Sequence, residues 1–337
     1  MDPLKIVVLD GYGVTQQDAD WESFNEIGEI QVFPRTEPDL IAARIGNADA
    51  AITSKCRIDA AAMDACPNLR YIGESATGYN NIDVEAAKAR GIAVTNVPDY
   101  STDSVVQGAM ALLFELACRT GLHDAAVRAG EWQRSKDFCL TVAPLTELSG
   151  KTIGIIGYGH IGKKVARVCA ALGMRVLVFT PHPPAALPAG GDASSSLFTG
   201  GDALLPPPEF LPFDELLAAS DVISLHCPLT PENGGMIGAE TIAKMKDGVW
   251  LINTARGGLV REDDLAAALK SGKVGAAGLD VLTKEPPDLD NPLIGLPNAV
   301  ITPHVAWLTT EARRRLIGIM IDNLRVWASG GIQNRIV

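Results

Sequence analysis

The chain has 337 residues, 47% of them apolar, which is enough for two domains of ordinary size, each with its own core. Its formal net charge of -11 disfavours nucleic acids and anionic membranes as partners, although one local arginine can still hold a small anion. No apolar run is long enough to cross a bilayer, and the amino terminus enters a strand pattern directly, without the features of a signal peptide.

The six cysteines form no C-x-x-C pair, and the five histidines show no metal-ligand spacing. We therefore expect a cytoplasmic protein with reduced thiols and no bound metal. Cys56 stands beside Lys55, which is a weak signal for a lowered thiol pKa.

Five short apolar runs in the first hundred residues are typical of β-strands, and they lie at 6–9, 30–32, 50–52, 71–73 and 92–94. Polar-faced segments at 38–45 and 84–90 are typical of helices between them. This alternation predicts a parallel sheet covered by helices on both faces.

A long helix is predicted to begin after Tyr100, because three N-cap oxygens precede an apolar stretch over 105–117. Six further strand patterns follow, at 152–156, 175–179, 221–225, 249–252, 276–281 and 299–301. The segment 309–327 is predicted as one final helix. Its apolar face consists of Leu316, Ile317, Met320, Ile321 and Leu324.

The segment 183–212 interrupts this pattern with Pro, Gly, Ala and Ser, including the run Pro206-Pro207-Pro208. Such a composition cannot bury a core face, so we interpret the segment as a mobile surface excursion. A tolerated insertion is favoured over a functional lid.

The run Gly157-Tyr158-Gly159-His160-Ile161-Gly162 follows the predicted strand 152–156 and opens an amphipathic helical pattern. The G-x-G-x-x-G spacing alone is a weak signal, but this strand–turn–helix context is typical of a dinucleotide site. There Gly157 permits the tight turn, Gly159 lets backbone amides approach a pyrophosphate, and Gly162 lets helix and strand pack closely.

The next predicted strand is followed by Thr180, where Asp or Glu usually binds the ribose hydroxyls. The chain therefore has no acid there to reject a 2′-phosphate. It also has no Lys or Arg from 176 to 243 to bind one. NAD is favoured as the cofactor, with only weak discrimination against NADP.

The element order predicts an α/β protein with two parallel-sheet domains. An inserted Rossmann dinucleotide-binding domain would occupy 101–303. A discontinuous, flavodoxin-like substrate (catalytic) domain would comprise 1–100 and 304–337. This layout predicts a cleft between the two sheets, with His304 where the chain crosses back.

Three charged side chains follow strand patterns in the last third of the chain: Arg256, Glu285 and His304. The carboxyl ends of parallel strands face the ligand crevice of an open α/β sheet. A guanidinium can hold a carboxylate by two hydrogen bonds, and an imidazole beside a carboxylate can pass on a proton. Each residue alone is more often a surface ion pair, a turn residue or a structural histidine. Together, and with Gly257-Gly258 permitting close ligand approach, they favour reduction of a 2-keto acid.

Motifs that occur in order along nearly the whole chain lie at 76–83, 157–162, 224–230, 253–260, 278–281, 285–286 and 303–304. In this order they resemble the D-isomer-specific 2-hydroxyacid dehydrogenases. The segments 8–12 and 96–106 look most like the glycerate dehydrogenase (hydroxypyruvate reductase) branch of that family. The resemblance implies transfer of a hydride from NADH to hydroxypyruvate or glyoxylate, giving D-glycerate or glycolate, by a homodimer.

The resemblance also implies roles for matching residues. Arg256 would hold the substrate carboxylate and polarise its carbonyl, His304 would be the acid/base, and Glu285 would orient His304. The substrate side would be lined by Lys55, Ala76, Thr77 and Gly78. Cofactor-binding residues would be Val106, Gly157, Gly159, His160, Ile161, Gly162, Thr180, Cys227, Pro228, Thr254, Ala255, Asp280, His304 and Ala306. Among these, Asp280 would meet the nicotinamide carboxamide, and Cys227 and Pro228 would flank the adenosine.

Two alternatives stay open. One is 3-phosphoglycerate dehydrogenase, whose family carries an arginine where this chain has Glu74-Ser75, so that a carboxylate here would repel a phosphate. The other is a non-catalytic dinucleotide-sensing protein like the corepressors that share the scaffold, disfavoured because no long tail is appended. His226 is interpreted as structural, and Trp132 and Trp307 as packing or dimer-contact residues.

Overall fold

The computed structural model describes residues 3–15, 21–182 and 205–337. The chain divides into two compact units. The first comprises Met1–Ser101 and Leu308–Val337, and the second is the continuous segment Thr102–Trp307. His304 therefore lies in the second unit, whereas the sequence interpretation grouped it with the carboxyl-terminal segment.

The first unit contains a five-stranded parallel sheet. Its strands are β1 (Leu4–Val8), β2 (Gly28–Val32), β3 (Ala50–Thr53), β4 (Tyr71–Glu74) and β5 (Ala93–Thr95). The order β2-β1-β3-β4-β5 is that of flavodoxin-like sheets, which confirms the predicted class. Strands β3 and β4 are buried along their whole length, as expected for a parallel sheet covered on both faces.

Short helices connect these strands: α1 (Gly11–Thr15), α2 (Ile41–Ile45), α3 (Ala60–Asp64) and α4 (Val84–Ala89). Single 3₁₀ turns precede β2 and α2, at Glu22–Glu26 and Pro38–Leu40. The side chains of Asp59 and Asp83 cap α3 and α4, each accepting a hydrogen bond from a backbone N–H of the first turn. The caps explain why both helices begin where an aspartate precedes a polar-faced segment.

The carboxyl-terminal helix, Thr310–Ala328, completes the first unit. The five side chains of its predicted apolar face are buried. Trp327 packs on Tyr71 with ring centroids 5.0 Å apart. Beyond the helix, Ile336 N donates to Val94 O at 2.7 Å, and Arg335 forms an antiparallel bridge with Thr95. The last residues of the chain therefore lie along the outer edge of β5.

The second unit contains a seven-stranded parallel sheet. Its strands are β6 (Thr152–Ile156), β7 (Arg175–Phe179), β8 (Glu209–Phe210), β9 (Val222–Leu225), β10 (Val249–Asn253), β11 (Val274–Leu279) and β12 (Ala299–Ile301). The order is β12-β11-β10-β9-β6-β7-β8. The chain runs outward from β6 to β8 and resumes at β9 on the other side, so the switch point of the sheet lies between β6 and β9. This is the predicted Rossmann arrangement.

The helices of the second unit are α5 (Thr102–Cys118), α6 (Thr120–Arg128), α7 (Glu131–Arg134), α8 (His160–Ala171), α9 (Phe213–Ala219), α10 (Ala239–Lys244) and α11 (Glu262–Ser271), and the carboxyl-terminal helix of the first unit is α12. Helices α5 and α8 pack against one face of the sheet in a core that includes Ile153 and Ile155. In the described ranges, no single helix has the length and apolar composition of a membrane span; α5 and α6 meet that test only jointly, with a 61° bend between them.

The interpretation of 183–212 as a surface excursion is wrong for residues 205–210. Residues 183–204 lie outside the described residues, but Glu209–Phe210 form β8 and pair with Leu177 and Val178 of β7. Leu205 and Phe210 pack against the core of the unit. Composition does not reveal them, because these apolar side chains stand only in short pairs on either side of a run of prolines.

All six cysteines are free thiols, and Cys118 and Cys139 are exposed. The signal for a lowered pKa at Cys56 is wrong. Burial, together with the neighbouring Asp10 carboxylate, raises the pKa of the Cys56 thiol to about 12.

Candidate active site

Arg256 follows β10 on a turn that the side chain of Asn253 shapes. Asn253 Nδ2 donates to Arg256 O at 2.9 Å, and Asn253 Oδ1 accepts from Ala255 N at 3.0 Å. Asn253 is 1% exposed, so water does not compete for these bonds. The Arg256 side chain is exposed and uses Nη1 to donate to Ala255 O at 2.7 Å. Its other N–H groups make no hydrogen bond to the described residues.

At Gly257, the turn that carries Arg256 packs closely against the loop that carries Glu285. A Cβ at position 257 would lie 2.0 Å from the carbonyl carbon of Leu282 and 2.4 Å from Thr283 N. The close approach that this glycine permits is therefore between two backbones of the protein. The expectation that Gly257 makes room for a ligand is wrong.

Glu285 and His304 form a hydrogen-bonded pair. His304 Nδ1 lies 2.5 Å from Glu285 Oε2, while Glu285 Oε1 accepts from Leu282 N at 3.0 Å. The His304 and Glu285 side chains are 31% and 34% exposed, so the pair is open to ligands and solvent. Because a carboxylate only accepts, Nδ1 carries a proton in this bond, and Nε2 is the nitrogen left to face a ligand.

The loop that presents His304 is built around the carboxylate of Asp280. Asp280 Oδ1 accepts from Thr302 Oγ1 at 2.6 Å and from Val305 N at 2.9 Å, and Oδ2 accepts from Ala306 N at 2.9 Å. The loop holds His304 at a φ of 55°, an uncommon value for a residue with a side chain. A carboxylate has about four acceptor sites, so these three bonds leave room for one further donor.

Helix α5 supports the same loop from the opposite side. Ser104 Oγ donates to Ala306 O at 2.6 Å. A Cβ on Gly108 would lie 2.7 Å from Ala306 Cβ, so the helix and the loop are in tight contact. Val106, one of the predicted cofactor contacts, is 8% exposed and belongs to the core beneath the loop.

The glycine loop after β6 has the geometry of a phosphate cradle. Gly157 has a φ of 97°, and its Cβ would lie 2.6 Å from the carbonyl carbon of His226. A Cβ on Gly162 would lie 2.1 Å from Gly157 O, which explains the close packing of α8 on the loop. At Gly159, the N-cap of α8, a Cβ would meet nothing within 4 Å. The open face at a helix N-terminus fits the pyrophosphate of a dinucleotide.

A cavity of about 270 Å³ lies beside this loop, at the carboxyl ends of β6, β7 and β9. Its apolar lining includes Phe179, Pro181, Phe213, Cys227 and Met236. Burial raises the pKa of the Cys227 thiol, so this side chain is an uncharged part of the wall. Thr180 lies between Phe179 and Pro181 and is half-buried. Glu232 and Asn233 complete the lining, which suits a weakly polar ring.

His226 lies behind the glycine loop and carries no charge there. Its Nε2 is 2.8 Å from Ser224 Oγ, and its Nδ1 is shielded from solvent without a partner among the described residues. Burial lowers the pKa of His226 to about 4. The imidazole is therefore neutral at physiological pH.

Lys163 is a further cation near the glycine loop. It lies in the first turn of α8, and its Nζ is 5.7 Å from the centroid of the Tyr158 ring, inside the glycine loop. Lys163 lies outside positions 176 to 243, and α8 brings its ammonium group to the loop.

The remaining predicted cofactor residues lie at the same edge of the second sheet. His160 and Ile161 open α8, Pro228 follows β9, and Thr254 and Ala255 follow β10. Thr254 Oγ1 is buried and has no hydrogen-bond partner in the described part of the chain.

In the first unit, Lys55 lies on a turn that wraps around the carboxylate of Asp10. The N–H groups of Ser54, Lys55 and Cys56 donate to this carboxylate at 2.9, 2.6 and 3.1 Å. These amides are occupied, so the exposed Lys55 side chain is the group of this turn that can meet an anion. Asp10 follows β1, and only the folded chain brings it beneath the turn.

The predicted substrate residues Ala76, Thr77 and Gly78 lie on a loop that follows β4. Thr77 Oγ1 donates to Val97 O at 2.9 Å, and Ala76 O accepts from Val97 N at 3.0 Å, which fixes the loop to the segment after β5. Among the described residues, no protein acceptor meets the main-chain N–H groups of Ala76, Thr77 and Gly78. Successive free N–H groups can together bind an anion.

Glu74, the last residue of β4, is 1% exposed. Burial, with a smaller contribution from the Asp10 charge, raises the pKa of Glu74 to about 9. The carboxyl group is therefore uncharged at neutral pH. The prediction that this residue repels a phosphate is therefore wrong.

Within residues 3–15, 21–182 and 205–337, no group of three or more His, Cys, Asp or Glu side chains is positioned to hold a metal ion.

Comparison with known proteins gives a consistent picture. The family model described as D-isomer specific 2-hydroxyacid dehydrogenase, NAD binding domain, matches residues 110–306, more than half of the chain. A hydroxypyruvate reductase of Blautia hydrogenotrophica is 44% identical over 334 residues, covering 98% of this chain and 99% of the relative. A glycerate dehydrogenase of Methylorubrum extorquens is 38% identical over 333 residues, covering 98% of each chain.

A D-3-phosphoglycerate dehydrogenase of Archaeoglobus fulgidus is 40% identical over 279 residues, which are 83% of this chain and 49% of the relative. Among solved structures, the TT0316 protein of Thermus thermophilus superposes with a TM-score of 0.84 at 33% identity, over 99% of this chain and 100% of that one.

Proposed function

The chain belongs to the family of D-isomer-specific 2-hydroxyacid dehydrogenases, and we propose that within this family it reduces hydroxypyruvate to D-glycerate, and glyoxylate to glycolate, with NADH. It is an oxidoreductase that interconverts small 2-keto and 2-hydroxy acids with a nicotinamide dinucleotide. The observation that carries the catalytic assignment is the 2.5 Å hydrogen bond between His304 Nδ1 and Glu285 Oε2. Two relatives matched over nearly their full length are named for this reaction, which supports the substrate.

His304 is the proton donor in this proposal. A bound reduced nicotinamide supplies the hydride, and the carbonyl oxygen that receives negative charge needs a proton within hydrogen-bond reach. Nδ1 is committed to Glu285, so Nε2 delivers the proton in reduction and takes it back in oxidation. The Glu285 carboxylate orients the ring through this bond, and the hydrogen bond from Leu282 N keeps the carboxylate in place.

Arg256 binds the substrate carboxylate. Its guanidinium is exposed and tethered through one nitrogen to Ala255 O, which leaves other N–H groups for a two-pronged contact with a carboxylate. The turn that carries it rests on the loop of Glu285 through Gly257. The proposed carboxylate-binding residue, Arg256, and the partner of the proton donor, Glu285, are therefore held by the same backbone contact.

The first unit carries its own donors for an anion. The free N–H groups of Ala76, Thr77 and Gly78 and the ammonium group of Lys55 are the donors proposed to meet the small acid. A compact 2-keto acid needs few such contacts, so these groups suffice to fix its orientation.

The proposed cofactor is NAD. The glycine cradle suits the pyrophosphate, the apolar cavity suits the adenine, and the acceptor site left on Asp280 suits the carboxamide N–H. Thr180 offers no positive charge to a 2′-phosphate, whereas Lys163 lies close enough to the loop to offer some. We therefore propose preference for NADH with measurable use of NADPH.

A homodimer is proposed from exposed apolar side chains concentrated in the second unit. Large side chains that protrude from α5 to the segment after α7 are Phe114, Leu122, Trp132, Phe138, Val142 and Leu145. Phe138 is 91% exposed, and exposure of such a large apolar side chain to water is unfavourable in a monomer. A cytoplasmic location is proposed from the six free thiols.

Oxidation of 3-phosphoglycerate is the second candidate, favoured by the 40% identity to a relative with that name. The uncharged state of Glu74 removes one objection to it, but no cation replaces the carboxyl at that position.

A substrate panel tests the proposal. NADH oxidation is measured with hydroxypyruvate, glyoxylate, pyruvate and 3-phosphohydroxypyruvate, and the same panel is repeated with NADPH. We expect the highest kcat/KM for hydroxypyruvate with NADH. A preference for the phosphorylated acid would establish the second candidate, and no turnover of any 2-keto acid would overturn both.

A further inference from the structure

Glu74 closes the base of the loop that carries the free N–H groups of Ala76, Thr77 and Gly78. The residue ends β4, and its Oε2 accepts from Asn81 Nδ2 at 2.9 Å, across the loop 75–80. The two ends of the loop are thus joined by one hydrogen bond between side chains.

Asn81 also ties this loop to the turn that carries Lys55. The same Nδ2 donates to Cys56 O at 3.1 Å, and Asn81 O accepts from Ile58 N at 2.9 Å. Loss of the Glu74 bond would therefore loosen both segments that hold the predicted substrate contacts of the first unit.

The environment of Glu74 suits a carboxyl group that keeps its proton. Its Oε1 is buried and has no partner among the described residues, and an ionised carboxylate left in this state is costly. Two charged groups face it, the Asp10 carboxylate from the end of β1 and the Lys55 ammonium from the turn after β3. Burial outweighs both and raises the pKa of Glu74 to about 9.

We infer that Glu74 is a positioning residue for the substrate half of the site: as an uncharged acceptor it holds Asn81, and through Asn81 it fixes the amides of 76–78 relative to Lys55. The inference rests on the proposed function insofar as these groups bind the keto acid. No step of the chemistry passes through Glu74 itself.

Two variants and a control separate this role from a general structural one. Glu74→Gln keeps an uncharged acceptor of the same shape, Glu74→Ala removes it, and Glu29→Gln alters an exposed residue of the edge strand β2. At neutral pH we expect KM for hydroxypyruvate to rise about tenfold in Glu74→Ala, the scale of one lost hydrogen bond, with a smaller change in kcat. Glu74→Gln and Glu29→Gln should stay close to the wild type.

A wild-type KM in Glu74→Ala, or a Gln variant as impaired as the Ala variant, would overturn the inference.

Two measurements decide the inference even if the enzyme acts on another substrate. A raised pKa in the folded state gives stability that is present in acid and lost as pH rises toward 9. The Tm of the wild type should therefore fall more between pH 5 and about 9 than that of Glu74→Gln. Hydrogen exchange of the amides of 75–81 should accelerate in Glu74→Ala and not in Glu74→Gln. Parallel Tm profiles, or unchanged exchange in a folded Glu74→Ala, would contradict the inference without bearing on the proposed reaction.

Discussion

Gly257 and Leu282 touch backbone to backbone: a Cβ at position 257 would lie 2.0 Å from the Leu282 carbonyl carbon. The contact joins the turn of Arg256 to the loop in which Leu282 N holds the carboxylate of Glu285. The proposed substrate clamp and the partner of the proposed proton donor therefore cannot move independently.

Gly257→Ala should damage both functions at once. The new Cβ would meet backbone atoms of Leu282 and Thr283, which cannot rotate out of the way as a side chain can. We therefore expect the free energy of unfolding to fall by about 1–3 kcal/mol, the usual cost of overpacking. The kcat/KM for hydroxypyruvate should fall as well. Gly258→Ala is the matched control, since its Cβ would meet Leu229 Cδ2 at 2.9 Å, the end of an exposed side chain. Equal losses in the two variants would contradict this account.

His304→Ala should lower kcat about 10²- to 10⁴-fold, the usual range for a general acid. NADH affinity should change little, because the cradle and the cavity do not depend on the imidazole. Steady-state kinetics and a fluorescence titration with NADH measure the two quantities. Near-normal turnover would mean that another group carries the proton.

Glu285→Ala removes the acceptor that His304 Nδ1 bonds and so frees the ring to turn. We expect kcat to fall in both directions of the reaction, because Nε2 is no longer held toward the substrate. Glu285→Gln keeps an acceptor at this position and should lose less activity. Steady-state kinetics in both directions measure the effect, and an unchanged kcat in Glu285→Ala would separate Glu285 from the proton relay.

Arg256→Lys keeps the charge and loses the two-pronged geometry, so it is not a conservative change. We expect a large rise in KM for the keto acid together with a fall in kcat. The affinity for NADH serves as the control and should not change. Unaltered kinetics would remove Arg256 from the site.

Thr180→Asp should sharpen the preference for NADH, because the new carboxylate would bind ribose hydroxyls and repel a 2′-phosphate. Lys163→Ala should act in the same direction by removing a cation near the loop. The ratio of kcat/KM with NADPH to that with NADH measures both. A ratio that neither change moves would place the ribose elsewhere.

Much of the fold was predictable because the strands of the second sheet are short, apolar and bounded by turns. Strands 152–156 and 175–179 were predicted to the residue. The predicted strand 276–281 is instead Val274–Leu279. Asp280 and Val281 are buried but are not paired in the sheet, and a buried apolar sequence outside a sheet gives the same pattern as a strand. The two-residue strand β8 is too short to give any periodicity.

The site was predictable where a residue type implies its chemistry, as for the pairing of Glu285 with His304. It was not predictable where the state of a group depends on distant neighbours. Glu74 reads as a charge in the sequence, and only its burial beside Asp10 makes it neutral. Lys163 reads as a surface residue of a helix, and only the fold brings it over Tyr158.

The insertion of the second unit into the first has a consequence for how the chain folds. Residues 102–307 are continuous and can complete their core during synthesis, whereas the first unit lacks α12 until the final 30 residues, Leu308–Val337, have been made. Until then Tyr71 has no Trp327 to pack against, and the outer edge of β5 has no partner in Arg335 and Ile336. Unpaired strand edges associate with one another, so the nascent first unit is exposed to aggregation until these residues have been made.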